Sequence, residues 1–100
     1  MPIELTHDSG GILATLSGEL EKGDWLALSE AIGAASSGAA SIDLSRVEYM
    51  DSSGLGELVQ LVSRTRIRGG TVVLVNPSAF LRGVLEVTRL NTWFDILDSQ

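Results

Sequence analysis

The chain has 100 residues, 44% of them hydrophobic and 20% charged, a balance that supports one soluble core and excludes both a disordered chain and two independent cores. A domain this short buries only roughly 60–65% of its unfolded surface, which leaves little room for a deep, walled-in active site and rules out a large enzyme architecture. Seven Lys and Arg against thirteen Asp and Glu give a formal charge of −6, the wrong sign for neutralising nucleic-acid phosphates or anionic lipid; no nucleic acid and no direct membrane contact are expected, and a basic protein partner fits.

Cysteine is absent, which removes disulfides, thiolate metal sites and a cysteine nucleophile. The start of the chain, Met1-Pro2-Ile3-Glu4-Leu5, lacks a basic stretch followed by an apolar one, and no apolar run approaches the roughly 18 residues of a spanning helix. A cytoplasmic location is the expectation.

Ile3 and Leu5 alternate with polar residues, Asp8-Ser9-Gly10-Gly11 is a turn cluster, and Ile12, Ala14 and Leu16 resume the alternation up to Gly18. That pattern predicts a β-hairpin. Trp25, Leu28, Ile32 and Ala35 then fall at helical spacing, with Asp24 as the expected N-cap and Gly38 as the terminator. Ile42 and Leu44 alternate around Asp43, a short strand over 41–44.

From Gly54 to Arg68, Leu55, Leu58, Val59 and Val62 mark one face of an amphipathic helix. Arg64, Arg66 and Arg68 lie in its last turns, where cations oppose the negative end of the dipole and solvate the helix end, and Gly69-Gly70 supplies a left-handed stop. Residues 71–75 are a β-branched run, the pattern of a central strand either covered on both faces or flanked by helices. Asn76-Pro77 breaks it, Ser78 caps a third helix carrying Phe80, Leu81, Val84 and Leu85, and that helix is expected to run to Leu90 and stop at Asn91. Trp93, Phe94, Ile96 and Leu97 form a closing edge strand or docking tail. A hairpin followed by alternating helices and strands predicts an α/β fold, with a mixed central sheet largely parallel in its middle and joined by right-handed crossovers.

The stretch most suggestive of chemistry is Met50-Asp51-Ser52-Ser53-Gly54-Leu55-Gly56, placed where the chain enters the second helix. Free N–H groups and the positive end of the dipole favour an anion there, including a phosphate carried by a serine. The plainer reading is an N-cap, which needs only one of the three polar residues. Gly54 and Gly56 each cost about 1 kcal/mol relative to alanine in a helix interior; capping does not explain them, and they would let another surface approach the backbone.

The run from Asp43 through Gly56, followed by Arg68-Gly69-Gly70 and Val73-Leu74-Val75-Asn76-Pro77-Ser78, resembles the STAS domain of bacterial anti-sigma factor antagonists. Gly18-Glu19-Leu20 and Val84-Leu85-Glu86-Val87-Thr88-Arg89-Leu90 match as well, so the resemblance spans nearly all of residues 1–100, taken as one STAS domain. The resemblance implies a switch and not an enzyme. The unphosphorylated form binds an anti-sigma factor that is also a serine kinase and so frees a sigma factor; phosphorylation ends the binding, and a serine phosphatase restores it. The acceptor implied is the residue after the aspartate, here Ser52, with Ser53 the alternative. Asp51, Ser53, Gly54, Leu55, Gly56 and Glu57, together with Glu19 and Glu21 of the first loop, are the implied contacts with the kinase. ATP belongs to that partner, and no cofactor or metal is expected in this chain. Two departures stand out: Glu21 where the family often has aspartate after Gly-Glu-Leu, and Glu57 where an aliphatic residue is common.

Other readings have less behind them. His7, the only histidine, is far along the chain from the serines and no Gly-x-Ser-x-Gly elbow is present, which disfavours a hydrolase. Asp43, Glu48 and Asp51 are too loosely spaced to indicate a cation site. No Gly-x-x-x-x-Gly-Lys-Ser/Thr loop is present for nucleotide phosphates. Trp25, Trp93 and Phe94 read as core or edge-packing residues, with an aromatic on the exposed flank of the first helix as the alternative binding hot spot. The alternative from another class is a STAS subunit of a membrane transporter complex or of a stress-signalling assembly, with no phosphorylation cycle. The Ser52-Ser53 doublet favours the switch, because a permanent subunit needs no acceptor hydroxyl.

Overall fold

The computed structural model describes residues 2–8, 11–35 and 38–98. Strand β1 (Ile3–Asp8) pairs antiparallel with β2 (Gly11–Ser17), Ile3 opposite Leu16 and Asp8 opposite Gly11, which is the expected hairpin; Ser9 and Gly10 of its turn lie outside the described residues. Helix α1 (Lys22–Ala34), β3 (Ala39–Arg46), α2 (Ser52–Ile67), β4 (Thr71–Val75), α3 (Ala79–Val87), a 3-10 turn (Leu90–Thr92) and β5 (Asp95–Leu97) follow. Strands β2 to β5 are parallel, and the sheet order β1-β2-β3-β4-β5 is the chain order.

That order has a consequence for the layers. Each crossover steps the same way across the sheet, so right-handed connections deliver all three helices to one face. The burial pattern agrees: Ile12, Ala14 and Leu16, Ala40, Ile42 and Leu44, and Val72 and Leu74 are buried with Leu28, Ile32, Leu58, Val62, Leu81 and Leu85 of the helices. The alternate residues Thr15, Ser41, Asp43, Val73 and Val75 are only half-buried. Residues 71–75 form a strand inside the sheet, between β3 and β5, flanked along the chain by α2 and α3 as one of the two expectations had it; the other, coverage on both faces, is corrected, because β4 has helices on one face, and β3 is the middle strand. Its β-branched run reflects packing against neighbouring strands on the pleat, which favours such residues without a second helical layer.

Element ends show where local rules competed. Helix α1 starts earlier than expected, with Glu21 as N-cap and Asp24 at the third helical position, where its Oδ2 accepts from the Glu21 N–H at 2.8 Å. An acid at that position serves the helix start as well as one at the cap does, which is why Asp24 mimics a cap. Helix α1 ends at Ala35 in extended backbone, and Gly38 (φ +69°) belongs instead to the entry of β3, which extends over Ala39–Arg46 and not just 41–44. Helix α2 ends as expected: Gly69 (φ +85°) is left-handed, its N–H donates to Arg66 O at 3.0 Å, and the Gly70 N–H donates to Thr65 O at 2.9 Å. This pair of bonds is a Schellman motif.

Helix α3 stops at Val87, short of Leu90, because Arg89 enters the left-handed region (φ +63°), while Thr88 Oγ1 donates to Val84 O at 2.8 Å; Asn91 lies in the 3-10 turn. Its start is well held. Ser78 Oγ accepts from the Leu81 N–H at 3.3 Å and donates to Val47 O, which ties α3 to the loop leaving β3. Ser78→Ala is expected to lower stability by about 1–2 kcal/mol, read as a lower urea midpoint with an unchanged slope. Arg66 does not merely solvate the end of α2. Its guanidinium lies 4.4 Å from the Trp93 ring centre, donates to Trp93 O at 2.8 Å and sits 3.6 Å from Asp95, fastening α2 to the segment before the expected edge strand β5.

Candidate functional site

Strands β2, β3 and β4 each lead into a helix, so the N-termini of α1, α2 and α3 gather at the carboxyl ends of the parallel strands, the edge where open α/β sheets hold their ligands. Between the loop before α1 and the start of α2 runs an open groove. Glu19, Asp51, Ser52, Ser53, Gly54, Gly56 and Glu57 of the expected contacts all line it. Glu21 does not: it caps α1 and faces an adjoining hollow with Ser17 and Asp24. Leu55 is also outside the groove and packs against the core.

The loop that presents the serines is pinned from below. Val47 and Met50 are buried, and between Met50 and the helix Asp51 adopts extended backbone (φ −85°, ψ 178°). Its side chain therefore folds back over the first turn, Oδ1 accepting from the Gly54 N–H at 2.8 Å, while its main-chain oxygen accepts from the Leu55 N–H at 3.0 Å. Ser52 and Ser53, the first two helical residues, are exposed. The carboxylate of Asp51 is thus the N-cap, and the adjacent hydroxyls are left to solvent. Asp51→Ala is expected to lower stability by about 1 kcal/mol in urea denaturation.

The two glycines part company here. A Cβ on Gly54 would lie 2.9 Å from Met50 Cγ, so the chain's own packing demands glycine at that position. A Cβ on Gly56 would meet nothing within 4 Å, and the residue is exposed. Only Gly56 leaves a bare backbone that this chain does not itself use. Gly56→Ala is accordingly expected to raise stability by about 0.5–1 kcal/mol, measured by the same urea titration.

The groove residues that sequence reasoning missed as contacts include Lys22, Trp25, Tyr49 and Gln60. Ser53, Gly56, Glu57 and Gln60 stand at i, i+3, i+4 and i+7, one stripe of α2, a helical spacing that could have found Gln60. Lys22 is the one cation among the described residues lining the groove, facing a rim that carries Glu19, Asp51 and Glu57. Trp25 is buried, as a packing residue should be, with part of its surface forming the groove wall. Asp43 Oδ1 accepts from the Ser45 N–H at 2.9 Å, so this carboxylate, like that of Asp51, is held by the local backbone. His7 is exposed on β1.

A mixed five-stranded sheet with helices on one face, presenting an exposed serine pair at a helix start beside a capping aspartate, defines a class of small α/β domains. The chain belongs to the STAS family: the family model described as "Mlab, STAS domain" matches residues 4–98. Its fold is similar to that of the anti-sigma factor antagonist SpoIIAA in its unphosphorylated form (24% identity, TM-score 0.78, covering 98% of this chain and 88% of that one). It is similar also to the Bacillus cell fate determinant SpoIIAA in the phosphorylated form (23%, 0.74, 98% and 91%). An anti-sigma factor antagonist from Mycobacterium paratuberculosis shares 32% identity at a TM-score of 0.66, over 94% of this chain and 82% of the other. The expected fold and family are both found. Among the described residues no helix is long and apolar enough to cross a membrane.

Proposed function

We propose that this chain is an anti-sigma factor antagonist that acts as a phosphorylation switch, one STAS unit over residues 1–100 working in the cytoplasm. The observation that carries the reading is the exposure of Ser52 at the first position of α2, directly after an aspartate whose carboxylate is fixed by the Gly54 N–H. A small partner surface can reach that hydroxyl, and the groove beside it offers a footprint. The likeness to SpoIIAA, solved in unphosphorylated and phosphorylated forms, supports a cycle of this kind.

The unmodified protein binds an anti-sigma factor that is also a serine kinase, and the bound sigma factor is released. The kinase brings ATP. Ser52 Oγ forms a bond to the γ-phosphorus, the bond from that phosphorus to the β-phosphate oxygen breaks with ADP as the leaving group still held by the kinase, and the hydroxyl proton passes to a base of the kinase. The resulting phosphate carries about −1.5 to −2 charge at pH 7; the helix N-terminus tolerates it, while the kinase surface, which still holds nucleotide phosphates, does not. Only this difference in affinity between the two states can operate the switch. A serine phosphatase resets it. Catalysis resides in the partners, and Glu19, Asp51, Gly56 and Glu57 serve recognition.

Intact-mass analysis after incubation with such a kinase and ATP tests the reading. One phosphate is expected on the chain, absent in Ser52→Ala and retained in Ser53→Ala. No gain of mass would contradict the switch.

A further inference from the structure

Two helices begin on the walls of the groove, and they begin differently. Helix α2 opens with the exposed hydroxyls of Ser52 and Ser53, whereas α1 opens with Lys22, the only lysine in the sequence and also exposed. A cation is out of place at the first position of a helix, because it faces the positive end of the dipole. Helix α1 gains nothing from it as a cap, since Glu21 and Asp24 already form a capping box around that turn. Nor does Lys22 hold the fold through an ion pair: the salt bridges among the described residues are Arg66 with Asp95 and Arg82 with Asp98. What Lys22 has instead is a place on the groove that contains Ser52.

The other titratable groups of the groove are Glu19 from the loop before α1, Tyr49 and Asp51 from the loop after β3, and Glu57 from α2. Arg46 ends β3 at the same edge of the sheet but does not line the groove. Three carboxylates against one ammonium leave the groove negative before any modification, and a phosphate on Ser52 adds about −1.5 to −2 more at pH 7. Among the described residues that line the groove, one side chain carries the opposite charge. We propose that Lys22 is the in-chain counter-ion of phosphorylated Ser52, its ammonium reaching across the groove to the phosphate oxygens. The inference rests on the function proposed above and deepens it. Lysine suits the task, because a compact charge on a flexible stem can leave water for the phosphate without a preformed geometry. In the unmodified chain the ammonium stays solvated and the groove open; in the modified chain the pair lies across the groove that a partner must enter. Part of the switched-off state is then built within this chain.

The test uses full-length protein with phosphoserine placed at position 52 during synthesis by an expanded genetic code, so that no kinase is needed. Phosphorus NMR follows the conversion of the phosphate to its dianion with pH in the otherwise unsubstituted chain, Lys22→Gln, Lys22→Arg and Arg46→Gln. Lys22 and Arg46 are exposed, and all four proteins are expected to share one circular dichroism spectrum. A nearby cation favours the dianion, so its removal raises the phosphate midpoint. Lys22→Gln is expected to raise it by about 0.3–0.6 pH unit at low salt, the size of one unit charge several ångströms away in water. Lys22→Arg should restore the midpoint, Arg46→Gln should leave it in place, and the Lys22→Gln shift should shrink at about 1 M salt, where exposed pairs are screened. Equal midpoints with and without Lys22 would overturn the pair, as would a shift of the same size in Arg46→Gln, no restoration by arginine, or a shift undiminished by salt. These outcomes are separate from the fate of the proposed function, which falls if the kinase adds no phosphate to the unmodified chain, whatever the NMR titration reads.

Discussion

Gly70→Ala is expected to destabilise the fold by about 3 kcal/mol, because a Cβ there would make the tightest approach of any at the described glycines. The new Cβ would lie 2.4 Å from Gly38 O and 2.8 Å from Thr65 Cγ2. Neither neighbour can yield cheaply. Gly38 is in left-handed backbone, and its oxygen accepts from the Thr71 N–H at 2.9 Å, a bond that joins the start of β4 to the entry of β3. Thr65 is buried and its hydroxyl is bonded to Leu61 O at 2.8 Å. Relief of the clash would therefore separate two adjacent strands or displace the last turn of α2. Gly69→Ala gives the internal comparison. Position 69 has open space around it and only the left-handed backbone to oppose a side chain, a cost of about 1–2 kcal/mol. Urea denaturation should rank Gly70→Ala clearly below Gly69→Ala; equal midpoints would contradict the close approach of Gly70 to Gly38.

Ser52→Asp should have the opposite profile, with stability unchanged within about 0.5 kcal/mol and affinity for the kinase lowered about 100-fold. The side chain is exposed at the first position of α2, where a negative charge is favoured by the dipole, so the folded state has no reason to object. The complex has one. The added carboxylate must be desolvated against a surface that accepts a neutral hydroxyl, beside a rim already carrying Glu19, Asp51 and Glu57. Ser52→Ala, which removes the hydroxyl and adds no charge, should bind like the parent. A Ser52→Asp variant that binds as tightly as Ser52→Ala in calorimetric titration would show that charge at this position is not what the partner reads.

How much of this was readable beforehand depended on whether the cause was local. Strand β4 was delimited by Gly69-Gly70 and Asn76-Pro77 and the end of α2 by a Schellman glycine, each a signal within a few residues of the boundary, whereas α2, expected from Gly54 with the cap open among Asp51, Ser52 and Ser53, starts at Ser52 with Asp51 as its cap. Asp24 was misplaced because a capping acid and an acid at the third helical position serve the same N-terminus. The early stop of α3 was hidden because Arg89, and not a glycine, takes the left-handed conformation. Coverage of β4 on one face follows from the direction of three crossovers, which no window along the chain reveals. The serine motif was legible as chemistry, but its surroundings were not: Tyr49 meets Phe80, and Arg66 meets Trp93, only after distant segments have been brought together. Gly54 shows the reverse case, a residue that suggested an open surface and turned out to be required by Met50 beneath it.

The proposal that modification of Ser52 turns binding off is tested most directly by titrating the unphosphorylated and the singly phosphorylated protein against the same anti-sigma factor kinase, with circular dichroism recorded for both forms. The account predicts identical spectra and a complex about 100-fold weaker once the phosphate is on Ser52. Equal affinities for the two forms, or tighter binding of the phosphorylated one, would contradict it.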